Sequence, residues 1–111
     1  MKLRLEKEKI TIRLKPSEIK KFSDVKFLEE KLSLSENNHF TFALSISEFH
    51  NSLDAEFIKS SLLVRVPQQK VDKWIKSNQV GMKETIVSEF GSKITLTLEE
   101  DLPPRKDKKK I

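Results

Sequence analysis

The sequence contains no cysteine and no tyrosine, and it has only two glycines in 111 residues. Without cysteine, disulfide frameworks, thiolate zinc sites and thiol catalysis are excluded. With Gly81 and Gly91 alone, the chain has neither a glycine-rich phosphate loop nor the Gly-x-Ser-x-Gly elbow of serine hydrolases. No apolar run approaches the ~20 residues of a membrane helix, and the charged start of the chain is not a signal peptide. We therefore expect a cytoplasmic protein.

The net charge of +5 is concentrated at the end of the chain. Residues 103–111 carry five Lys or Arg and one Asp, so the first 102 residues carry only the remaining +1. Pro103 and Pro104 begin this segment, which has no core-forming pattern. The sequence predicts one α+β domain over residues 1–102 and a basic disordered tail over residues 103–111. A strongly basic folded face is not expected from these sums.

Apolar and polar residues alternate in several segments, such as 10–14, 40–46 and 94–98. This period of two is typical of strands with one face on a core. Two short helices are predicted at 16–22 and 67–75, because each has a proline at its start and apolar residues three or four apart. Phe22 and Trp74 lie on the apolar faces and should be buried. The predicted fold is α+β, with a mostly antiparallel sheet of about eight strands and two short helices.

The two halves of the chain have similar patterns. A shift of 52 residues aligns 12–14 with 64–66 and places Phe22 on Trp74, and a shift of 54 aligns 40–44 with 94–98. The apolar phase and the order of elements agree although identities are few. We interpret this as tandem duplication of a ββαββ unit, with repeat 1 over about 2–46 and repeat 2 over about 54–99.

The first predicted hairpin places like charges together. With Glu8-Lys9 as its loop, Arg4 lies directly opposite Arg13, which destabilises a sheet unless something compensates. The same reasoning in the second unit places Glu56 opposite Arg65, an ordinary ion pair. In the first unit either the protein's own carboxylates compensate or an external anion does. Arg4 and Arg13 are therefore our candidate anion-binding residues.

No metal or catalytic constellation is recognisable. His39 and His50 are eleven residues apart, and only Glu48 stands near His50 in the sequence. A zinc site needs three or four convergent ligands, usually with two at short spacing. We interpret both histidines as surface residues and predict no metal, no cofactor and no catalytic residue.

The chain resembles a small bacterial domain family of unknown function, whose members are usually described only as hypothetical proteins. The resemblance extends over residues 2–102 and is carried by these stretches: Lys2-Leu3-Arg4-Leu5, Ile10-Thr11-Ile12-Arg13-Leu14, Ser17-Glu18-Ile19, Phe40-Thr41-Phe42-Ala43-Leu44, Ser52-Leu53-Asp54-Ala55-Glu56-Phe57, Val66-Pro67, Trp74, Val80-Gly81 and Glu99-Glu100-Asp101. The resemblance implies no activity, and so no functional residue follows from it.

We expect a non-enzymatic binding or interaction module for a protein partner or a small anionic ligand, held at the seam between the two units. The alternative is a nucleic-acid-associated protein that uses the first hairpin and the five cations of the tail, Arg105, Lys106, Lys108, Lys109 and Lys110. An enzyme with an unrecognised site is a third interpretation. No membrane partner is expected. Single-strand binders interleave basic residues with exposed aromatics, whereas the phenylalanines here fall largely at core positions.

Overall fold

Eight strands and two helices make up the fold in the computed structural model, which describes residues 1–77, 80–88 and 90–101. The elements are β1 (Lys2–Glu6), β2 (Lys9–Leu14), α1 (Pro16–Val25), β3 (Phe27–Ser35), β4 (Asn38–Ser47), β5 (Asp54–Ile58), β6 (Ser61–Pro67), α2 (Gln68–Lys76), β7 (Gly81–Val87) and β8 (Lys93–Glu100). The predicted α+β class, with about eight strands and two short helices, is confirmed. The predicted tail and its five cations lie outside the described residues.

The strands form two mixed sheets, so the prediction of one mostly antiparallel sheet was wrong. Sheet A has the order β1-β2-β8-β7, and sheet B has the order β3-β4-β6-β5. In each sheet two antiparallel hairpins are joined by a central parallel pair, β2 with β8 and β4 with β6. The first hairpin of each half therefore pairs with the second hairpin of the other half. Hydrophobic periodicity identifies strands but not their neighbours, because it carries no information on pairing across ~85 residues of chain.

The two helices connect the sheets. Helix α1 packs against β2 and β3, and α2 packs against β6, β4 and β7. Phe22 is fully buried and Trp74 is 3% exposed, which confirms the prediction for both. At the start of α1 the Lys15 backbone N–H donates to Glu18. Partial burial raises the pKa of Glu18, but hydrogen bonds from the N-terminal ammonium and from the Lys15 N–H outweigh it, and the net effect is a pKa below the ordinary value.

A single hydrophobic core draws on the inner faces of both sheets and on both helices. Its buried members are Ile12, Leu14, Ile19, Phe22, Phe42, Leu44, Leu53, Leu62, Val64, Val66, Val71, Trp74, Leu96 and Leu98. Because successive side chains of a strand point to opposite faces, burial of these residues turns the intervening ones outward. The outer faces of sheets A and B are thus the two sheet surfaces that remain.

The turns of the β1–β2 and β5–β6 hairpins lie one residue earlier than the predicted loops, Glu8-Lys9 and Ser60-Ser61, which moves each pairing by two residues. The first turn is Lys7-Glu8, and Arg4 lies opposite Thr11. The second turn is Lys59-Ser60, with φ of 47° and 63°. Two consecutive positive φ values are typical of the type I′ turn, whose twist suits a two-residue hairpin. A shift of two leaves every side chain on its predicted face but changes its partners.

Candidate anion-binding face

The outer face of sheet A collects positive charge from both halves of the chain. Its charged side chains are the cations Lys2, Arg4, Lys9, Arg13, Lys83 and Lys93 and the carboxylates Glu6 and Glu99, a net charge of +4. All six cations are exposed. We call this surface the basic face. The outer face of sheet B has Lys31 and Arg65 against Glu29, Asp54 and Glu56, a net charge of −1.

Threonines occupy the middle of the basic face. One row across the four strands runs Arg4, Thr11, Thr97, Lys83, and the next row includes Thr95 and Thr85 on β8 and β7. Thr11 is only 3% exposed. The Thr97 hydroxyl is buried and has no hydrogen-bond partner among the described residues. The sheet thus has short threonine side chains at its centre, two of them with little exposed surface, and long cationic side chains around them.

Half of the cations on the basic face already have carboxylate partners. The N–O distances are 3.0 Å for Lys2–Asp101, 3.5 Å for Arg4–Glu6 and 3.7 Å for Arg13–Glu99. Within the described part of the chain, Lys9, Lys83 and Lys93 have no carboxylate within 4.0 Å. Exposed pairs of this kind are worth about 0–1 kcal/mol, so an external anion can replace the internal partner at little cost.

Arg4 and Arg13, the residues predicted as an anion site, do lie on this face, but not opposite each other. Arg13 is opposite Lys2, and Arg4 is diagonal to it. The predicted like-charge pair was therefore wrong, because the turn precedes the predicted one. Glu6 and Glu99 neutralise the two arginines locally. Anion binding by Arg4 and Arg13 stays a prediction, now as part of a larger surface.

Arg65 on sheet B is enclosed by acids instead. Its guanidinium lies 2.9 Å from Asp54 Oδ2 and 3.2 Å from Glu56 Oε2. Hydrogen bonds to Glu56 and then to Asp54 raise the pKa of Arg65 above its ordinary value. The direct cross-strand partner is Asp54, whereas the predicted partner Glu56 is diagonal. This arginine is saturated by the protein and leaves the outer face of sheet B without a free cation on β6.

The loop after β4 brings together a serine, a histidine and an aspartate, the residue types of a hydrolytic triad. The Ser47 hydroxyl lies 2.6 Å from His50 Nδ1 and accepts the Phe49 N–H at 3.2 Å. His50 Nε2 is 4.0 Å from Asp54 Oδ2, which is beyond hydrogen-bond distance. Asp54 instead binds Arg65. Among residues 1–77, 80–88 and 90–101 no carboxylate lies within hydrogen-bond distance of the His50 ring, and the contacts of Ser47 fasten the turn between β4 and β5.

The other histidine has an equally local role. His39 Nδ1 lies 3.3 Å from the Ser33 hydroxyl on the paired strand β3, and both side chains are exposed. Within residues 1–77, 80–88 and 90–101, no group of three or more His, Asp or Glu side chains is placed to hold a metal ion. The absence of a metal or cofactor remains a prediction for the whole chain.

A cavity of about 460 Å³ lies at the seam between the helices, where a ligand site was expected. Trp74 and Ile19 form part of its apolar wall, while its charged groups are Lys20, Asp24 and Glu100. One cation against two carboxylates does not favour an anion. The seam thus provides space but not the charge that the predicted ligand requires.

Sequence reasoning missed Lys9, Lys83 and Lys93. Alternation alone would have placed each of them on an outer face, but β7 and β8 are more than 65 residues from β1 and β2 along the chain. Summing charge by segment averages these cations with neighbouring acids, and the basic face emerges only after the hairpins of the two halves pair.

Among the described helices none is both long and apolar enough to cross a membrane. No curated protein and no solved structure matches the chain. One family model matches residues 1–109, which is nearly the entire sequence, and its description is a family of unknown function. This chain therefore belongs to the family of unknown function DUF7009.

Proposed function

We propose that the protein is a non-enzymatic binding module that holds an anionic partner on the basic face. The observation that carries this proposal is the segregation of charge by the fold, with net +4 on the outer face of sheet A and net −1 on that of sheet B. By the same count α1 has a net charge of zero and α2 of +2. No other element surface of the described chain concentrates cations to this degree.

The shape of the surface favours an extended anion. The basic face is a sheet surface with threonines at its centre, and its cations are spread over all four strands. A small ligand gains most of its affinity in a concave pocket that buries most of its surface. An extended polyanion gains affinity from several separated charges at once, and each added contact releases counterions. The spread of cations over the basic face therefore favours an extended polyanion over a small ligand.

Titration of the isotope-labelled, full-length protein with a polyphosphate, followed by NMR amide shifts, tests this proposal. We expect the perturbed amides to lie on β1, β2, β7 and β8. Perturbation confined to the helix seam would favour a small ligand in the 460 Å³ cavity. Perturbation confined to residues 103–111 would assign the attraction to the tail. Either result would contradict the proposed site.

We also infer that the chain arose by duplication of the ββαββ unit. The pairings Leu3–Ile12 and Leu28–Leu44 of the first half have counterparts at the predicted shifts of 52 and 54 in the second half, Ala55–Val64 and Met82–Leu98. The parallel pairs correspond as well, since Lys9–Thr95 maps onto Ser61–Thr41. The two sheets would then be equivalent assemblies, each with one hairpin from each repeat.

A chimera tests this duplication. If the halves are equivalent, a chain in which residues 2–47 are replaced by a second copy of residues 54–101 should retain cooperative unfolding and the circular dichroism of the parent. The reciprocal chimera carries two copies of residues 2–47. Loss of folded structure in both chimeras would contradict equivalence of the halves.

A further inference from the structure

We propose that the basic face binds the phosphate backbone of duplex nucleic acid without reading its sequence. This inference rests on the proposed function, because it names the anionic partner of the same surface. It places on the folded body an affinity that the sequence suggested for the first hairpin together with the five cations of the tail.

The composition of the basic face favours phosphate over an acidic protein. Between the cations lie four threonines, of which Thr85 and Thr95 are at least partly exposed while Thr11 and the Thr97 hydroxyl are buried. Val87 is the one apolar side chain on this face in the described chain. Cores of protein–protein interfaces are apolar and aromatic, and they are depleted of Lys. Contacts to phosphate oxygens come from Arg, Lys, Ser and Thr, and such interfaces are polar and strongly positive. The basic face has the polar, positively charged composition of a phosphate-binding surface.

The dimensions of the face match a segment of duplex. Four strands at about 4.8 Å spacing span about 14 Å, and six residues of β2 extend about 20 Å. A duplex carries one charge per about 1.7 Å of axis, or about 12 in 20 Å on both strands. About half of these lie on the side that meets a flat surface. Six cations on the face are therefore about as many as the phosphates within reach.

Sequence-independent binding follows from the width of the sheet. The major groove is about 12 Å wide and admits one helix or a two-stranded ribbon. A four-stranded face of about 14 Å is too wide to enter and must lie across the backbones. Without side chains at base edges, the contacts position the protein but carry no sequence information.

Single-stranded nucleic acid is disfavoured because the face offers no stacking platform. Single-strand binders stack bases on exposed aromatics. The sheet A strands contain no aromatic residue at all. The exposed Phe27, Phe49 and Phe57 belong to sheet B and to the β4–β5 loop. Phe90 is 95% exposed, but it lies in the turn between β7 and β8, beyond the ends of the sheet A strands, and a single ring does not stack successive bases. A single strand would therefore gain only the electrostatic part of the affinity.

The test measures fluorescence anisotropy of labelled probes with the full-length protein at about 50 mM salt. The probes are a duplex of about 20 base pairs, roughly two helical turns, one of its strands, and a polyglutamate peptide. The face variant neutralises three exposed cations, with Arg4, Lys9 and Lys83 all changed to Gln. A matched control variant changes Lys21, Lys31 and Lys73 to Gln. These lysines are also exposed, but they lie outside the basic face. A third variant changes the five tail cations to Gln, and thermal melts check that all variants fold.

We expect the duplex to bind more tightly than the single strand or the peptide, and unrelated duplex sequences to bind equally. The face variant should lose at least tenfold in duplex affinity, and the control should lose much less. Tighter binding of polyglutamate, again lost in the face variant, would overturn duplex recognition but leave the proposed anionic-partner function standing. Equal losses in the face and control variants, loss only on neutralising the tail, or no binding of any probe would overturn both.

Discussion

Replacing either of the two glycines of the chain should lower the free energy of unfolding, but for a different physical reason at each position. A Cβ on Gly81 would lie 2.8 Å from Glu99 Cα and 3.0 Å from the Leu98 carbonyl carbon, with the Leu98 carbonyl oxygen closer still. Non-bonded carbon atoms prefer separations of about 3.5–4.0 Å. All three atoms are backbone, and no side chain can move to make room. Gly81→Ala must therefore push the start of β7 away from β8 by about 1 Å.

That displacement sets the magnitude of the loss. Moving the start of β7 weakens the ladder at Gly81 and the neighbouring bond in which Glu100 N–H donates to the Val80 carbonyl at 2.8 Å. Each backbone hydrogen bond contributes about 0.5–1.5 kcal/mol net. Two or three weakened bonds, together with residual overlap, predict a loss of about 2–4 kcal/mol for Gly81→Ala. Urea unfolding followed by circular dichroism measures it.

Gly91 supplies the matched comparison. A Cβ there meets no atom within 4 Å, but φ is +82°, which L residues rarely adopt. Gly91→Ala should cost about 1–2 kcal/mol from backbone strain, and Gly91→Asn should cost less, because Asn tolerates positive φ. At Gly81, Asn should be no better than Ala. A Gly81→Ala variant as stable as the parent, or rescue of Gly81 by Asn, would refute the steric argument.

Three further predictions concern stability. Phe22→Ala and Trp74→Ala should each lower the free energy of unfolding by about 3–5 kcal/mol, and a urea-melt loss below about 1 kcal/mol would show that the side chain does not support the core. Replacing Lys59 by Asn and Ser60 by Gly should raise the melting temperature, because both positions have positive φ. Relief of about 1–2 kcal/mol of left-handed strain, less about 0.5–1 kcal/mol for the entropy of Gly, predicts a gain of about 0.5–1 kcal/mol at each position. The lowered pKa of Glu18 contributes stability that is present above its unfolded pKa of about 4.3 and is lost as pH falls through the folded value. Glu18→Gln should thus destabilise at pH 7 and flatten the acid limb of the stability curve, and an unchanged acid limb would contradict this.

The sequence was sufficient for the elements but not for their assembly. Alternation located β2, β4 and β8, and proline with apolar spacing located α1 and α2 within about three residues at their ends. The β5–β6 turn was displaced because Lys59 and Ser60 adopt positive φ without being Gly or Asn. The parallel pairing of β2 with β8 joins residues about 85 positions apart. Local patterns do not encode such contacts, which explains why two sheets were predicted as one.

The same long-range pairing explains why the sequence predicted only part of the candidate site. Arg4 and Arg13 could be proposed from the sequence because both lie on one hairpin, which is local information, although the predicted pairing between them was wrong. Lys83 joins them only because β8 lies between β2 and β7. In the charge sums Lys83 is offset by Glu84, although the two side chains point to opposite faces of β7. A sum of charges along the chain does not distinguish the two faces of a sheet. The pleat of the strand does, because successive side chains point to opposite faces.

The salt dependence of duplex binding tests the central claim most directly. For a duplex, the logarithm of the association constant falls with the logarithm of salt concentration by about 0.9 per phosphate contact. Between about 50 and 200 mM salt, we expect the parent to show a slope between about −3 and −5, from three to six contacts. The face variant, with Arg4, Lys9 and Lys83 changed to Gln, should have a slope shallower by about 2–3, while the Lys21, Lys31 and Lys73 control retains the parental slope. An unchanged slope in the face variant, or an equal change in the control, would contradict binding through the outer face of sheet A.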